Sequence, residues 1–266
     1  MTALERLARV VSWAVAAFVI IFLLTPIIVT LLVSFTSSSV YTLPPPQWST
    51  KWFASLADKD GLWDALLLSL NLAFISTTIA LVLGTTTALA VSRGRFPGRE
   101  AIATFSVSPL MMPGLVVGVA LLQFFRSLGI NDAYFTLMLA HVVVTLPFVM
   151  RTLLAAFGSF DYTLLDAART LGMPYGQAVL RVMVPALSPA FLTAGLFAFL
   201  ASMDNYPVSI FLTDARNKTL PVKMLQYLEE SPDPSIAAIS SGLIMLALLA
   251  LMLGSRTVGL NRMIQG

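Results

Sequence analysis

The chain has 266 residues, 58% of them hydrophobic and only 11% charged, where an ordinary soluble domain is about 25% charged. With a mean hydropathy of +0.87 and a net charge of +3, it does not have the make-up of a water-soluble enzyme domain, a disordered tail or a nucleic-acid-binding module. Zero cysteines and one histidine supply neither disulfides nor a Cys- or His-based metal site, and the composition points to a polytopic membrane protein.

Six apolar stretches reach the roughly 20 residues that a bilayer-spanning helix needs. They are 10–35, 62–91, 101–126, 133–154, 189–212 and 235–255. The chain reads as an all-α membrane protein with a single transmembrane domain over 1–266. Strand-like alternation of the β-barrel kind is absent from the sequence. Arg6 and Arg9 precede the first stretch, but the run from Val10 to Val33 exceeds the roughly 7–15 residues of a secretory signal core. It is expected to remain as the first span.

Residues 36–61 read as a short loop. It holds Ser37-Ser38-Ser39, the extended run Pro44-Pro45-Pro46, and Trp48 and Trp52, which suit a membrane interface. After the second stretch, Arg93-Gly94-Arg95-Phe96-Pro97-Gly98-Arg99 is a basic turn without the G-x-x-x-x-G-K-[ST] pattern of a phosphate loop. In the third stretch Pro109, Pro113 and Gly114 interrupt the helix, and Gly118 lets a partner helix come near. Lining of a moving pathway and plain packing both fit these four residues. In the fourth stretch Pro147 is expected to be a packing kink. His141 is expected to hydrogen-bond a neighbouring helix, because no second ionisable group there supports a proton relay.

Lys and Arg divide ten to six across the two sides of a six-span arrangement. Arg6, Arg9, Arg93, Arg95, Arg99, Arg151, Arg169, Arg181, Arg256 and Arg262 share the side of both termini. The positive-inside rule makes that side the cytoplasm.

Residues 155–188 are too polar to span, yet they keep a helical pattern. Leu164, Leu165, Ala168, Leu171 and Gly172 recur at helical spacing, with Asp166 and Arg169 on another face. Gly172 followed by Pro174 is a helix stop. A second short helix fits Tyr175 to Val182, halted at Pro185. Two short amphipathic helices at right angles make a knob, suited to a cleft on another protein or to a surface of lipid headgroups.

In the fifth stretch, Asp204 stands fifteen residues beyond Pro189, roughly 22 Å along a helix. A carboxylate inside a span costs about 2.5 kcal/mol or more, so it faces water or a paired charge. Asn205 and Tyr206 follow, and Pro207 is expected to break the helix. An acid beside an amide and a phenol can hold an ammonium group by charge, hydrogen bonds and cation–π contact, with Ser202 and Met203 as further wall residues. Pairing with a basic residue of another subunit, or a solvated helix end, fits Asp204 equally well. Residues 213–234, with the turn signal Ser231-Pro232-Asp233-Pro234, read as a second short loop.

The stretch Asp166-Ala167-Ala168, three residues, Gly172, nine residues, then Val182-Met183-Val184-Pro185 resembles the EAA loop of ABC importer permeases. The family pattern has Glu, Ile and Leu where this chain has Asp166, Val182 and Val184. The resemblance implies a type I ABC importer permease fold, in which this loop is the coupling helix seated in a groove of an ATP-hydrolysing subunit. Leu164, Asp166, Ala167, Ala168, Arg169, Gly172 and Pro185 would form it. Gly172 would allow a sharp turn and close backbone approach, and Asp166 and Arg169 would supply polar contacts at the rim.

Asn71, the exit Gly84…Ala88…Ala90…Ser92-Arg93, and Pro109…Pro113-Gly114…Gly118 are similar to the subgroup for polyamines, iron(III) and related solutes. The runs Ser202 to Tyr206, Phe211-Leu212-Thr213 and Thr219-Leu220-Pro221 most resemble its spermidine/putrescine-type second permease. Relatives for aminoethylphosphonate or opines share these features. The implied partners are a second, paralogous permease subunit, an ATP-binding subunit dimer that uses ATP and Mg, a periplasmic solute-binding protein and the lipid bilayer of the bacterial inner membrane. No catalytic residue, metal or cofactor is expected on this chain. An ion-driven secondary transporter is the alternative from another class; it should show several intramembrane acids or an inverted repeat.

Overall fold

The computed structural model describes residues 3–258. Among them the backbone is helical, apart from loops and one isolated antiparallel bridge between Thr36 and Trp48. The helices are α1 (Ala3–Ser34), α2 (Lys51–Ser55), α3 (Leu62–Arg93), α4 (Arg99–Val107), α5 (Gly114–Ser127) and α6 (Ala133–Gly158). There follow α7 (Thr163–Thr170), α8 (Tyr175–Ala178), α9 (Val184–Ala186), α10 (Ser188–Met203), α11 (Tyr206–Leu212), α12 (Leu220–Glu230) and α13 (Ser235–Val258). Arg262, the side chain of Arg256 and the C-terminus lie outside the described residues.

The chain divides into two compact units. One comprises residues up to Asp60 with Met224–Leu253, and the other is built on Gly61–Lys223.

In the first unit α1 is apolar all round. Trp13, Phe18 and Phe22 are each about two-thirds exposed or more, and none of its most apolar 18 residues is buried. A helix of that kind has lipid or another apolar chain as its solvent. Ser241 of α13 donates to the Thr30 carbonyl of α1 at 3.4 Å. Trp52 is tied down by its indole N–H, which donates to the Ser38 carbonyl at 3.2 Å.

In the second unit the core is a seam of small residues. Ala65, Ser69, Ala73, Ser76, Ala80, Gly84 and Ala88 recur every three or four positions along α3, and all are buried. Small side chains let helix backbones approach closely, which is how helices associate where hydrophobic exclusion gives no help. At Gly84 a Cβ would stand 2.6 Å from Val149 Cγ1 of α6. Ala194 and Ala198 of α10 are fully buried in the same packing. Two apolar clusters result. One gathers Leu153, Phe157, Leu165, Ala178 and Met183; the other gathers Leu72, Phe125, Leu137, Val208 and Leu212.

Glu5–Ser34, Leu62–Arg93 and Ala133–Gly158 are each long and apolar enough to cross a membrane. The third stretch is not one helix. Arg99–Met111 and Gly114–Ser127 are bent by 110°, because Pro109 enters a tight turn and Pro113, with no N–H to donate, stands extended before α5. The fifth is likewise two helices, and the break falls at Asp204 and Asn205. Pro207 does not make this break. It lies in the first turn of α11, where a missing N–H costs nothing.

Three further boundaries differ from the sequence expectation. The fourth helix runs to Gly158, so the polar loop starts later. Pro185 does not halt the helix begun at Tyr175. Val179–Met183 widens into a π-helical turn that makes room for the proline, and the helix ends only at the 77° bend before Ser188. Residues 213–234 are not only loop. Leu220–Glu230 form the amphipathic helix α12, with Leu220 and Val222 buried.

Candidate functional site

The break between α10 and α11 is built by its own residues. Asp204 closes α10 at φ −95°, ψ 10°. Asn205 then caps α11, its side-chain oxygen accepting from Val208 N at 3.1 Å, which satisfies one of the free donors at a helix start. Between the two caps the Asp204 carboxylate is exposed, and it forms no ion pair among the described residues. Met203, Asn205 and Tyr206 are half-buried around it. Ser202 is different. It is buried, with its hydroxyl 2.7 Å from His141 Nδ1.

Glycines bring α5 against α11. A Cβ at Gly114 would stand 2.9 Å from Pro207 Cβ, and one at Gly118 would stand 2.9 Å from the Pro207 carbonyl and 3.1 Å from Val208 Cα. These two glycines, four residues apart, therefore pack directly behind the break. Pro113 precedes the same helix, and Pro109 shapes the bend. Gly114 and Gly118 thus meet the segment that follows Asp204, while Pro109 and Pro113 stand at the bend that leads into α5.

The knob forms at the other end of the unit. α7 ends in a Schellman motif: Gly172 N–H donates to the Arg169 carbonyl at 2.9 Å, and Met173 N–H to the Ala168 carbonyl at 3.1 Å. Gly172 has φ +86°, the left-handed conformation that glycine adopts without strain. Among the described residues, no atom beyond its own chain neighbours lies within 4 Å of where its Cβ would be. Leu165 and Ala168 face the core, while Leu164 and Leu171 point outward, Leu171 being 89% exposed. Ala167, Arg169 and Pro185 are exposed.

Asp166 does not stand free at the rim. Its carboxylate meets Arg93 Nη2, at the end of α3, at 3.1 Å, and the guanidinium lies 4.7 Å above the Tyr162 ring. Burial pushes the Tyr162 phenol up, the nearby Tyr175 adds to this, and Arg93 opposes it. Ahead of α7, the Thr163 hydroxyl and backbone N–H donate to Asp161 at 2.7 and 3.0 Å and hold its carboxyl below the usual range.

His141, expected to bond a neighbouring helix, bonds two. Nδ1 meets Ser202 of α10 and Nε2 lies 3.0 Å from Ser209 of α11. Nothing in the sequence pairs it with serines 61 and 68 positions away, although Ser202 and Ser209 do flank the lone acid at helical spacing. Similarly, Tyr134 OH donates to Asn71 Oδ1 at 2.5 Å between α6 and α3.

Residues 80–264 match the family of binding-protein-dependent transport system inner membrane components. The chain belongs to that family. As an ABC importer permease and multi-pass membrane protein, it is set apart from ion-driven secondary transporters. The permease is 31% identical to the spermidine/putrescine transport system permease protein PotC of Haemophilus influenzae, over 87% of this chain and 90% of that one. It is 29% identical to the putrescine transport system permease protein PotI of Escherichia coli K12, over 83% and 80%. Its fold matches that of a bacterial ABC transporter involved in import of the polysaccharide alginate, with TM-score 0.69 at 15% identity over 97% of each chain.

Proposed function

We propose that this permease is a transmembrane subunit of a bacterial ATP-driven importer for polyamines. Its similarity to the spermidine/putrescine permease along nearly the whole of both chains carries the reading. The chemistry at the break agrees with it. A polyamine is a flexible polycation, and the exposed Asp204 carboxylate beside Asn205 and Tyr206 offers it charge, an amide and a ring face.

In this reading the whole chain acts as one permease domain with six spans, the bent pairs α4–α5 and α10–α11 serving as the third and fifth and α13 as the sixth. Both ends lie in the cytoplasm of an inner-membrane protein, on the side with ten of the sixteen basic residues. A second permease subunit closes the pathway, and a periplasmic binding protein delivers the solute. The chain itself hydrolyses nothing. An ATP-binding subunit dimer, using ATP and Mg, docks on the knob through Leu164, Ala167, Arg169 and the turn at Gly172. Its closure moves α7, and the bends at Pro109, Pro113 and Asp204 let the spans tilt.

The test is uptake of labelled spermidine by the assembled complex with Asp204→Asn. Uptake is expected to fall about tenfold or more, the scale of a lost charge-assisted bond. Unchanged uptake and unchanged spermidine-stimulated ATP hydrolysis would remove Asp204 from the pathway.

A further inference from the structure

One ring bonds both sides of the break at Asp204 from outside its own helices. His141 stands in the middle of α6 and is 1% exposed. Its Nδ1 lies 2.7 Å from Ser202 Oγ, just before the break, and its Nε2 lies 3.0 Å from Ser209 Oγ, just after it. Both serines are buried. One imidazole therefore grips the end of α10 and the start of α11 across Asp204 and Asn205.

Proton accounting gives the grip a direction. Ser209 donates its only hydroxyl proton to the Asn205 carbonyl. It can therefore only accept from the ring, which places the ring proton on Nε2. A neutral imidazole then offers Nδ1 as an acceptor, and Ser202 donates to it. Ser202 Oγ in turn lies 3.3 Å from Ser76 Oγ of α3. From Ser202 of α10 the bonds run one way, through His141 of α6 to Ser209 of α11, and end on the backbone of the break. A network satisfied in this manner specifies one arrangement, because each unmade bond would strand a buried polar group. Gly114 and Gly118 pack against Pro207 and Val208 of the same helix.

We propose that His141 is a positioning residue for the solute pathway: through Ser202 and Ser209 it fixes where the Asp204 carboxylate stands relative to α3 and α6. The inference rests on the reading of Asp204 as the solute contact. His141 touches no solute and carries no proton across the membrane.

The test compares labelled spermidine uptake by the full complex, normalised to the permease content of the membrane, for His141→Leu, His141→Gln, Asp204→Asn and the Asp204→Asn/His141→Leu double variant. His141→Leu is expected to slow uptake about tenfold, the scale of stranding a buried partner. Gln offers one acceptor and one donor, and it is expected to restore uptake to within about threefold of the parent. The double variant is expected to match Asp204→Asn within about twofold, since both changes disable the same carboxylate. Fully additive losses, or a Leu variant as active as the Gln one, would overturn the proposal. If the Leu variant does not accumulate, His141→Asn, too short to reach both serines, takes its place with the same expectations. Slow uptake in Asp204→Asn beside normal uptake in His141→Leu would sink this inference and leave the pathway reading standing. Normal uptake in Asp204→Asn would remove both.

Discussion

Arg93, the last residue of α3, and Asp166, in the first turn of α7, meet at 3.1 Å. The contact fastens the loop that resembles a coupling helix to the end of a long core helix, with Tyr162 packed under the guanidinium. Both side chains are more than a third exposed or close to it, so water and salt screen the pair. Such a pair contributes at most about 1 kcal/mol. Arg93→Ala and Asp166→Asn are each expected to shift the melting midpoint by no more than about 4 °C. Their effect should appear instead in the ratio of ATP hydrolysed to solute taken up, which rises as the loop is held less firmly. An unchanged ratio would confine the pair to surface electrostatics.

Gly172 separates conformational from contact effects. Its φ of +86° disfavours side chains with a Cβ, but the chain leaves the space open. Asn tolerates this conformation better than a β-branched residue. Gly172→Asn is therefore expected to reach the membrane at parental levels, with Gly172→Val less stable by about 1–2 kcal/mol. If the turn sits against an ATPase subunit, the Asn variant still loses uptake. Parental uptake in that variant would show that no partner surface meets Gly172.

Gly118 and Gly158 form a matched pair. A Cβ at Gly118 collides with the Pro207 carbonyl and Val208 Cα, which are backbone and cannot turn aside; at Gly158 it meets nothing within 4 Å. Gly118→Ala should destabilise by about 1–3 kcal/mol. Gly158→Ala should be neutral or stabilising by up to about 1 kcal/mol. Thermal unfolding of the detergent-purified complex measures both.

Asp233 gives the loop of the first unit a pH dependence. Burial alone would raise its carboxyl, but the Ser235 hydroxyl, Lys59 at 3.1 Å and the Ser235 backbone N–H together hold it below the usual range. A depressed carboxyl contributes stability above its unfolded pKa, and loses it as pH falls through the folded value. The advantage of the parent over Asp233→Asn should thus be full at neutral pH and fade below about pH 4. A gap that persists into stronger acid would contradict this.

How much the sequence revealed follows from the range of each interaction. Apolar runs located the long helices, because crossing a bilayer is a demand on composition. Gly172 with Pro174 marked the end of α7, because a cap is local. Pro109 and Pro113 marked a bend but not its 110° angle, because an interrupted helix does not by itself fix the direction in which the chain resumes. α12 was hidden by its charged residues; its buried Leu220 is held through Ser69, whose hydroxyl accepts from Leu220 N at 2.8 Å from 151 residues away. The sequence pointed to a helix-bonding role for His141 and to Ser202 as a wall residue, but only the folded chain brings the ring together with Ser202 and Ser209.

The central claim is that the permease works within an ATP-driven polyamine importer. The most direct measurement is labelled spermidine uptake into proteoliposomes holding this chain with its partner permease and ATPase subunits, with the binding protein on the outer side. The account predicts uptake that needs both ATP inside and the binding protein outside, and that Asp204→Asn slows. Uptake that proceeds without ATP and collapses when an ionophore removes the ion gradient would contradict it.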